Sequence, residues 1–153
     1  MANLANTIKL ESFIGKATVA IDATGRTNFP KDFRKILREE ANGQVVVTIA
    51  EGRTLALFPL YEWNAYIQYL ESLGRCADVS KFRTRITSMA KLSTLDGQNR
   101  ITLTTEQMAY AGIGGEGTFV GDGKRVRLWA PEKYSQQIEV ITPDEEKQFE
   151  NWF

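Results

Sequence analysis

Histidine is absent from this 153-residue chain, and cysteine occurs once, as Cys76. A zinc site, a Ser-His-Asp triad and a Cys-His pair are thereby excluded, since each needs imidazole or several thiolates. A single cysteine also rules out an intrachain disulfide framework and suits a reducing cytoplasm. Long apolar runs are missing too: Val45-Val46-Val47-Thr48-Ile49-Ala50 is about as long as they get, far short of the ~20 residues a membrane span needs. No membrane partner is expected. Met1 to Asn6 has neither a basic start nor an apolar stretch, so it does not read as a signal peptide. Net charge is zero, 19 basic against 19 acidic residues, which removes the strong field of a polybasic nucleic-acid binder. The balance is uneven along the chain: residues 1–100 hold 14 Lys/Arg against 10 Asp/Glu, and residues 101–153 hold 5 against 9. No Gly/Pro-rich linker divides the sequence, so its halves are expected to pack on each other.

What is present is a turn stated twice. Asp22-Ala23-Thr24-Gly25-Arg26 is echoed 74 positions later by Asp96-Gly97-Gln98-Asn99-Arg100. Each copy lies between short alternating runs (Ala17 to Ile21 and Thr27 to Phe29; Lys91 to Leu95 and Ile101 to Leu103), which read as strands joined by a tight turn. The fourth position is Gly25 or Asn99, the residue types that best tolerate a left-handed backbone. The echo continues: Glu51 to Phe58 aligns with Asp122 to Trp129, a proline follows each, and Trp63 and Ile67 match Tyr134 and Ile138. The chain is therefore read as two copies of one unit.

In order, residues 1–12 read as a loose arm, 13–74 as the first repeat, 75–90 as a connecting helical segment, 91–141 as the second repeat and 142–153 as a helical tail. Within the first repeat, Pro30 is placed at the first position of a helix bearing Phe33, Ile36 and Leu37 on one face, with Asn42-Gly43 at its end. Gln44–Ala50 and Thr54–Phe58 form a hairpin about Glu51-Gly52, and a helix follows with Leu60, Trp63, Ile67 and Leu70 at helical spacing. Those aromatics read as core or subunit contact rather than a ligand box. In the second repeat, Thr104-Thr105-Glu106-Gln107 resembles a capping box for a helix through Ala111, and Asp122-Gly123 marks a two-residue hairpin turn. Pro131 opens a helix to about Val140. The tail carries a cap at Thr142, Pro143 at the first helical position, and terminal aromatics that either fold back on the core or dock on a neighbouring subunit.

A unit of about 70 residues encloses little core alone. Two copies can pair their strands about a pseudo-two-fold axis into one barrel, an α+β fold, and carry both acid-to-base turns to related positions. Paired arginines on rigid turns suit a repeated anionic target, since the arginine fork is the commonest specific contact to guanine. Asp22 and Asp96 would hold those arginines extended, or simply brace their own turns. Beside arginine they stay ionised and make poor general acids, which argues against an enzyme. The basic stretch Lys31 to Arg38, taken alone, reads as a solvated helix face.

The doubled Asp-x-x-x-Arg turn, the Phe13-Ile14-Gly15 lead-in, the strand–helix–hairpin order and the length resemble the MraZ family of bacterial transcriptional regulators, of the AbrB-like, swapped-hairpin class. The resemblance spans Phe13 to about Ile141. It implies a double-split β-barrel of two intrachain half-units and a ring-shaped homo-oligomer. It further implies binding to double-stranded promoter DNA, at short G-containing repeats ahead of the division and cell-wall gene cluster, with nucleoid association and mainly repressor action. Arg26 and Arg100 take the family's DNA-facing positions, with Asp22 and Asp96 as their partners and Gly25 and Asn99 supporting the turns. Lys16 is added as a DNA-binding candidate from its charge and nearness to the first turn. Asn99 stands where the family usually has glycine, and the family is often basic where this chain is neutral. A ring offsets the latter through avidity. No cofactor, metal or small-molecule substrate is expected. The rival reading is a ring-forming interaction protein with little DNA affinity, favoured by the zero net charge and the acidic, aromatic tail. A carboxylate-based hydrolase is the remote third.

Overall fold

The structure, a computed structural model, describes residues 12–153. The arm expected over residues 1–12 lies outside the described residues except for Ser12. Antiparallel strands and six α-helices make a mixed α+β chain. Strand β1 (Lys16–Ala20) leads through the first acid-to-base turn into β2 (Arg26–Asn28), and helix α1 (Lys31–Ala41) follows. Strands β3 (Gln44–Ala50) and β4 (Thr54–Pro59) form a hairpin, and helices α2 (Leu60–Ser72) and α3 (Ala77–Ser88) come next. The order then recurs: β5 (Lys91–Thr94), the second turn, β6 (Arg100–Thr102), α4 (Thr105–Ala111), and the hairpin β7 (Glu116–Asp122) and β8 (Arg125–Trp129). Helix α5 (Pro131–Tyr134), a π-helical turn (Ser135–Glu139) and α6 (Pro143–Phe149) close the chain.

The helices form where apolar periodicity and capping chemistry agree. Phe33, Leu37 and Ala41 recur every four residues and bury one face of α1. The chain leaves the helix through Asn42 and Gly43, both at positive φ, and the Gly43 N–H bonds the Leu37 carbonyl at 3.0 Å. Pro30 stands one position earlier than expected, outside the helix with ψ 141. The backbone stays extended there because the preceding Phe29 N–H still donates to Asn99 across the strand pair, at 2.9 Å. Helix α4 has the expected capping box: the Thr104 hydroxyl accepts from Gln107 N–H, and the Gln107 side chain accepts from Thr104 N–H, both at 3.0 Å.

The first hairpin loop opens at Glu51 as the sequence places it but takes in Arg53, and the second sits one residue later than expected. Ala50 pairs with Thr54, so the first loop is Glu51–Arg53, and Arg53 takes φ 58 with its guanidinium 4.8 Å from the Tyr110 ring centre. Asp122 pairs with Arg125, leaving Gly123-Lys124 as the loop. That places glycine, at φ 68, first in the loop, as a type II′ turn needs. The helix expected from Pro131 to about Val140 runs to Glu139, α-helical through Tyr134 and π-helical over Ser135–Glu139.

Six strands run in the order β1-β7-β8-β4-β3-β5, and β2 pairs separately with β6. Exchanging β1 with β5, β3 with β7, β4 with β8 and β2 with β6 returns the same order. Ladder hydrogen bonds do not close this sheet into a barrel. Strands β1 and β5 are its two edges, and the β1 side meets the ribbon through the isolated bridge Ile21↔Thr27 and the bond from the Thr27 hydroxyl to the Ala20 carbonyl, at 2.9 Å. The three-residue ribbon strands are too short for more. One hydrophobic core lies beneath both halves, with Phe29, Phe33 and Leu37 from the first and Ile101, Leu103 and Phe119 from the second all buried. Trp63, Tyr66 and Ile67 of α2 pack against it, and the Tyr66 ring stacks on Phe58 at 5.2 Å. No helix among the described residues is long and apolar enough to cross a membrane. At the C-terminus Trp152 and Phe153 are exposed, so the tail aromatics do not fold back on this chain's core.

Candidate nucleic-acid interface

The two acid-to-base turns are built alike. In the first, Asp22 Oδ1 accepts from the Thr24 N–H (2.9 Å), the Thr24 hydroxyl (2.7 Å) and the Arg26 N–H (2.9 Å). Its Oδ2 accepts from Arg26 Nε at 3.2 Å. In the second, Asp96 Oδ1 accepts from the Gln98 N–H (2.8 Å) and the Arg100 N–H (2.9 Å), and Oδ2 from Arg100 Nε at 3.0 Å. The backbone bonds match as well: Gly25 N–H to Asp22 O and Asn99 N–H to Asp96 O, each 3.0 Å. Both aspartates are held ionised, but arginine charge is not the main cause. The Thr24 hydroxyl contributes most to lowering the Asp22 pKa to about 2, ahead of the Arg26 N–H. For Asp96 the leading cause of its lowered pKa is the Arg100 N–H.

Pairing of β2 with β6 brings the two arginines to one ribbon, with the turns at its opposite ends. Arg26 lies opposite Thr102, Thr27 opposite Ile101, and Asn28 opposite Arg100. Side chains alternate along a strand, so Arg26, Asn28, Arg100 and Thr102 share one face and Thr27 and Ile101 the other. Burial agrees with this. Thr27 and Ile101 are 2% and 1% exposed, whereas Arg26, Asn28 and Thr102 are exposed and Arg100 is half-exposed. The two arginines stand diagonally across the ribbon, about 7–8 Å apart at the backbone by ordinary strand geometry. Each uses Nε on its own aspartate, and its two Nη atoms make no hydrogen bond among the described residues. The result is a two-stranded ribbon presenting two guanidinium forks held by their stems.

Close approach of the first turn to the end of β6 fixes Gly25. It has φ 85, and a Cβ there would meet the Leu103 carbonyl oxygen at 2.2 Å. The reciprocal bonds Leu103 N–H to Gly25 O (2.8 Å) and Phe29 N–H to Asn99 O (2.9 Å) lock the ribbon at both ends. Asn99 takes the same left-handed backbone at φ 63. Its side chain has a partner invisible to local reading: Arg38 Nη2 donates to Asn99 Oδ1 at 2.6 Å from α1, 61 residues away.

Lys16 stands apart from the first turn, and it shares a groove with Asn28 of the ribbon and Lys31 of α1. It begins β1, six residues before Asp22, which is about 20 Å along an extended strand. Its Nζ bonds Glu139 Oε2 at 2.7 Å and lies 5.4 Å from the Tyr134 ring centre. Nothing in the local sequence pairs it with a residue 123 positions away.

A family model described as MraZ protein matches residues 12–85. A Thermomicrobium roseum protein named transcriptional regulator MraZ is 35% identical over 133 residues, covering 86% of this chain and 91% of that protein. Proteins of the same name from Nitratidesulfovibrio vulgaris and Tolumonas auensis are 30% and 32% identical, over 86% and 82% of this chain and 87% and 84% of their own lengths.

Proposed function

The chain belongs to the MraZ family of transcriptional regulators, which are not enzymes, and on that premise we propose that it is a sequence-specific DNA-binding regulator, mainly a repressor, of the division and cell-wall gene cluster. It binds short G-containing promoter repeats as a ring-shaped homo-oligomer, on the nucleoid in the cytoplasm. The observation that carries this reading is the outer face of the β2–β6 ribbon, with Arg26 and Arg100 on it, each held through Nε by its own aspartate and with Nη atoms that make no hydrogen bond among the described residues. The major groove admits a two-stranded ribbon, and a guanidinium fork matches guanine O6 and N7. A separation of about 7–8 Å spans roughly two base-pair steps. Asp22 and Asp96 fix the guanidinium planes, and Gly25 and Asn99 allow the turns that place them.

The architecture is read as a double-split β-barrel of two intrachain repeats, 13–74 and 91–141, joined by 75–90 and followed by the tail 142–153. The strand order that maps onto itself on exchange of the halves supports this. Ring assembly is supported by the apolar surface of the C-terminal segment, where Ile138, Val140, Ile141, Trp152 and Phe153 are exposed. A ring also multiplies modest contacts from a neutral chain.

A mobility-shift assay on DNA from upstream of the division and wall genes, at two salt concentrations, tests the reading. Specific binding by the wild type, lost in the Arg26→Ala/Arg100→Ala variant, is the expected result. A folded, oligomeric wild type that binds no promoter DNA would move the assignment to the interaction ring.

A further inference from the structure

The ribbon has one basic flank and one that is not. Around α1, Lys31, Arg34, Lys35 and Arg38 fall on one side at the helical period, and Asp32, Glu39 and Glu40 on the other. Contacts fix which way the basic side faces. Arg34 Nε donates to the Phe29 carbonyl at the end of the ribbon, at 2.6 Å, and Arg38 Nη2 donates to Asn99 in the second turn. Lys31 also lies with Asn28, an outer-face residue, on the wall of a groove of about 320 Å³ that Lys16, Asp32 and Arg34 line as well. Lys31 and Lys35 are one helical turn apart, exposed, and without an ion pair among the described residues. Helix α4 follows β6 as α1 follows β2, but it contains no lysine or arginine and carries Glu106.

We propose that Lys31 and Lys35 grip the phosphate backbone of the DNA strand bordering the α1 side of the ribbon, while α4 makes no counterpart contact. This rests on the DNA-binding reading above and adds a direction to it. A ribbon with arginines related by near two-fold symmetry fits a groove in two opposite orientations. A phosphate grip on one flank makes the two unequal, so the protein has a preferred polarity on its target. Arg38, engaged with Asn99, is a positioning residue for the second turn rather than part of the grip.

The test uses the full chain in anisotropy titrations on two duplexes, one with a G-containing repeat and one with its guanines replaced, across a salt series. For Lys31→Gln/Lys35→Gln, affinity for both duplexes falls by a similar factor. The slope of log Kobs against log[salt] becomes shallower by about 2, since each phosphate neutralised contributes ~0.9. Guanine preference is retained, and Glu106→Gln leaves the slope at its wild-type value. An unchanged slope in the lysine variant overturns the grip while leaving DNA binding standing, as does a loss confined to the guanine duplex. A wild type that binds neither duplex at low salt overturns both.

Discussion

Replacing Gly25 by alanine should prise open the ribbon that holds the two arginines in register. A non-glycine residue in the left-handed region costs about 1–2 kcal/mol, and Gly25 has φ 85. The added Cβ lands 2.2 Å from Leu103 O. Both partners belong to backbone, so no rotamer change relieves the contact. Relief requires the ribbon end to separate and sacrifices the Leu103 N–H to Gly25 O bond of 2.8 Å, a further ~0.5–1.5 kcal/mol. Together the loss is about 1.5–3.5 kcal/mol, a melting temperature lower by roughly 3–14 °C for a chain of this size. Circular-dichroism melts on the wild type, Gly25→Ala and Asn99→Gly would measure it. Asn99→Gly relaxes the backbone but loses the Arg38 bond, so it should remain within about 1 kcal/mol of wild type. If Gly25→Ala melted with the wild type, the close approach of Gly25 to the Leu103 carbonyl would not be the constraint argued here.

Three further outcomes follow from the geometry. Asp22 has a folded pKa of about 2, below its unfolded value near 3.9, so its contribution to stability is full above about pH 4 and lost as pH falls through about 2. Melts of Asp22→Asn should therefore lie below wild type at neutral pH and converge with it in that acid window; a gap independent of pH would refute the ionised-turn argument. Gln107→Leu leaves the carbonyls of Val47 and Met89 without their buried donor, a loss of about 2–4 kcal/mol, readable as a lower urea midpoint; an unchanged midpoint would contradict it. Deleting residues 142–153 should leave the chain folded, with its circular-dichroism spectrum retained, because Trp152 and Phe153 are exposed. Native mass should then shift to smaller assemblies, and an unchanged mass would take the tail out of assembly.

What was legible in the sequence was local. The spacing of Asp22 to Arg26 and of Asp96 to Arg100 gave both turns, because an aspartate bonding backbone N–H groups two and four residues on is a short-range device. Thr104 and Gln107 gave the start of α4 for the same reason. The same Gln107 also donates to Val47 and Met89, 60 and 18 residues away, and no window along the chain reports that. In sequence Arg38 belongs to a solvated helix face, and its bond to Asn99 depends on how α1 packs beside the second turn. Charge and nearness in sequence place Lys16 by the first turn, but an extended strand carries it away from that turn and to Glu139. The second hairpin loop stands one residue beyond the Asp-Gly signal because register is set by the facing pair, Asp122 with Arg125, as well as by the glycine, whereas the first closes on Ala50 and Thr54 as its strands predict. The β2–β6 pairing, which places both arginines on one face, joins residues more than 70 positions apart.

The central claim is that Arg26 and Arg100 read guanines from one ribbon face. A double-mutant cycle tests it most directly, crossing Arg26→Ala and Arg100→Ala singly with single guanine substitutions in the promoter repeat. The account predicts that each arginine couples to its own guanine by about 1–3 kcal/mol. Each should be nearly additive, within about 0.5 kcal/mol, with the guanine read by the other. Additivity at every guanine for both arginines would contradict the account.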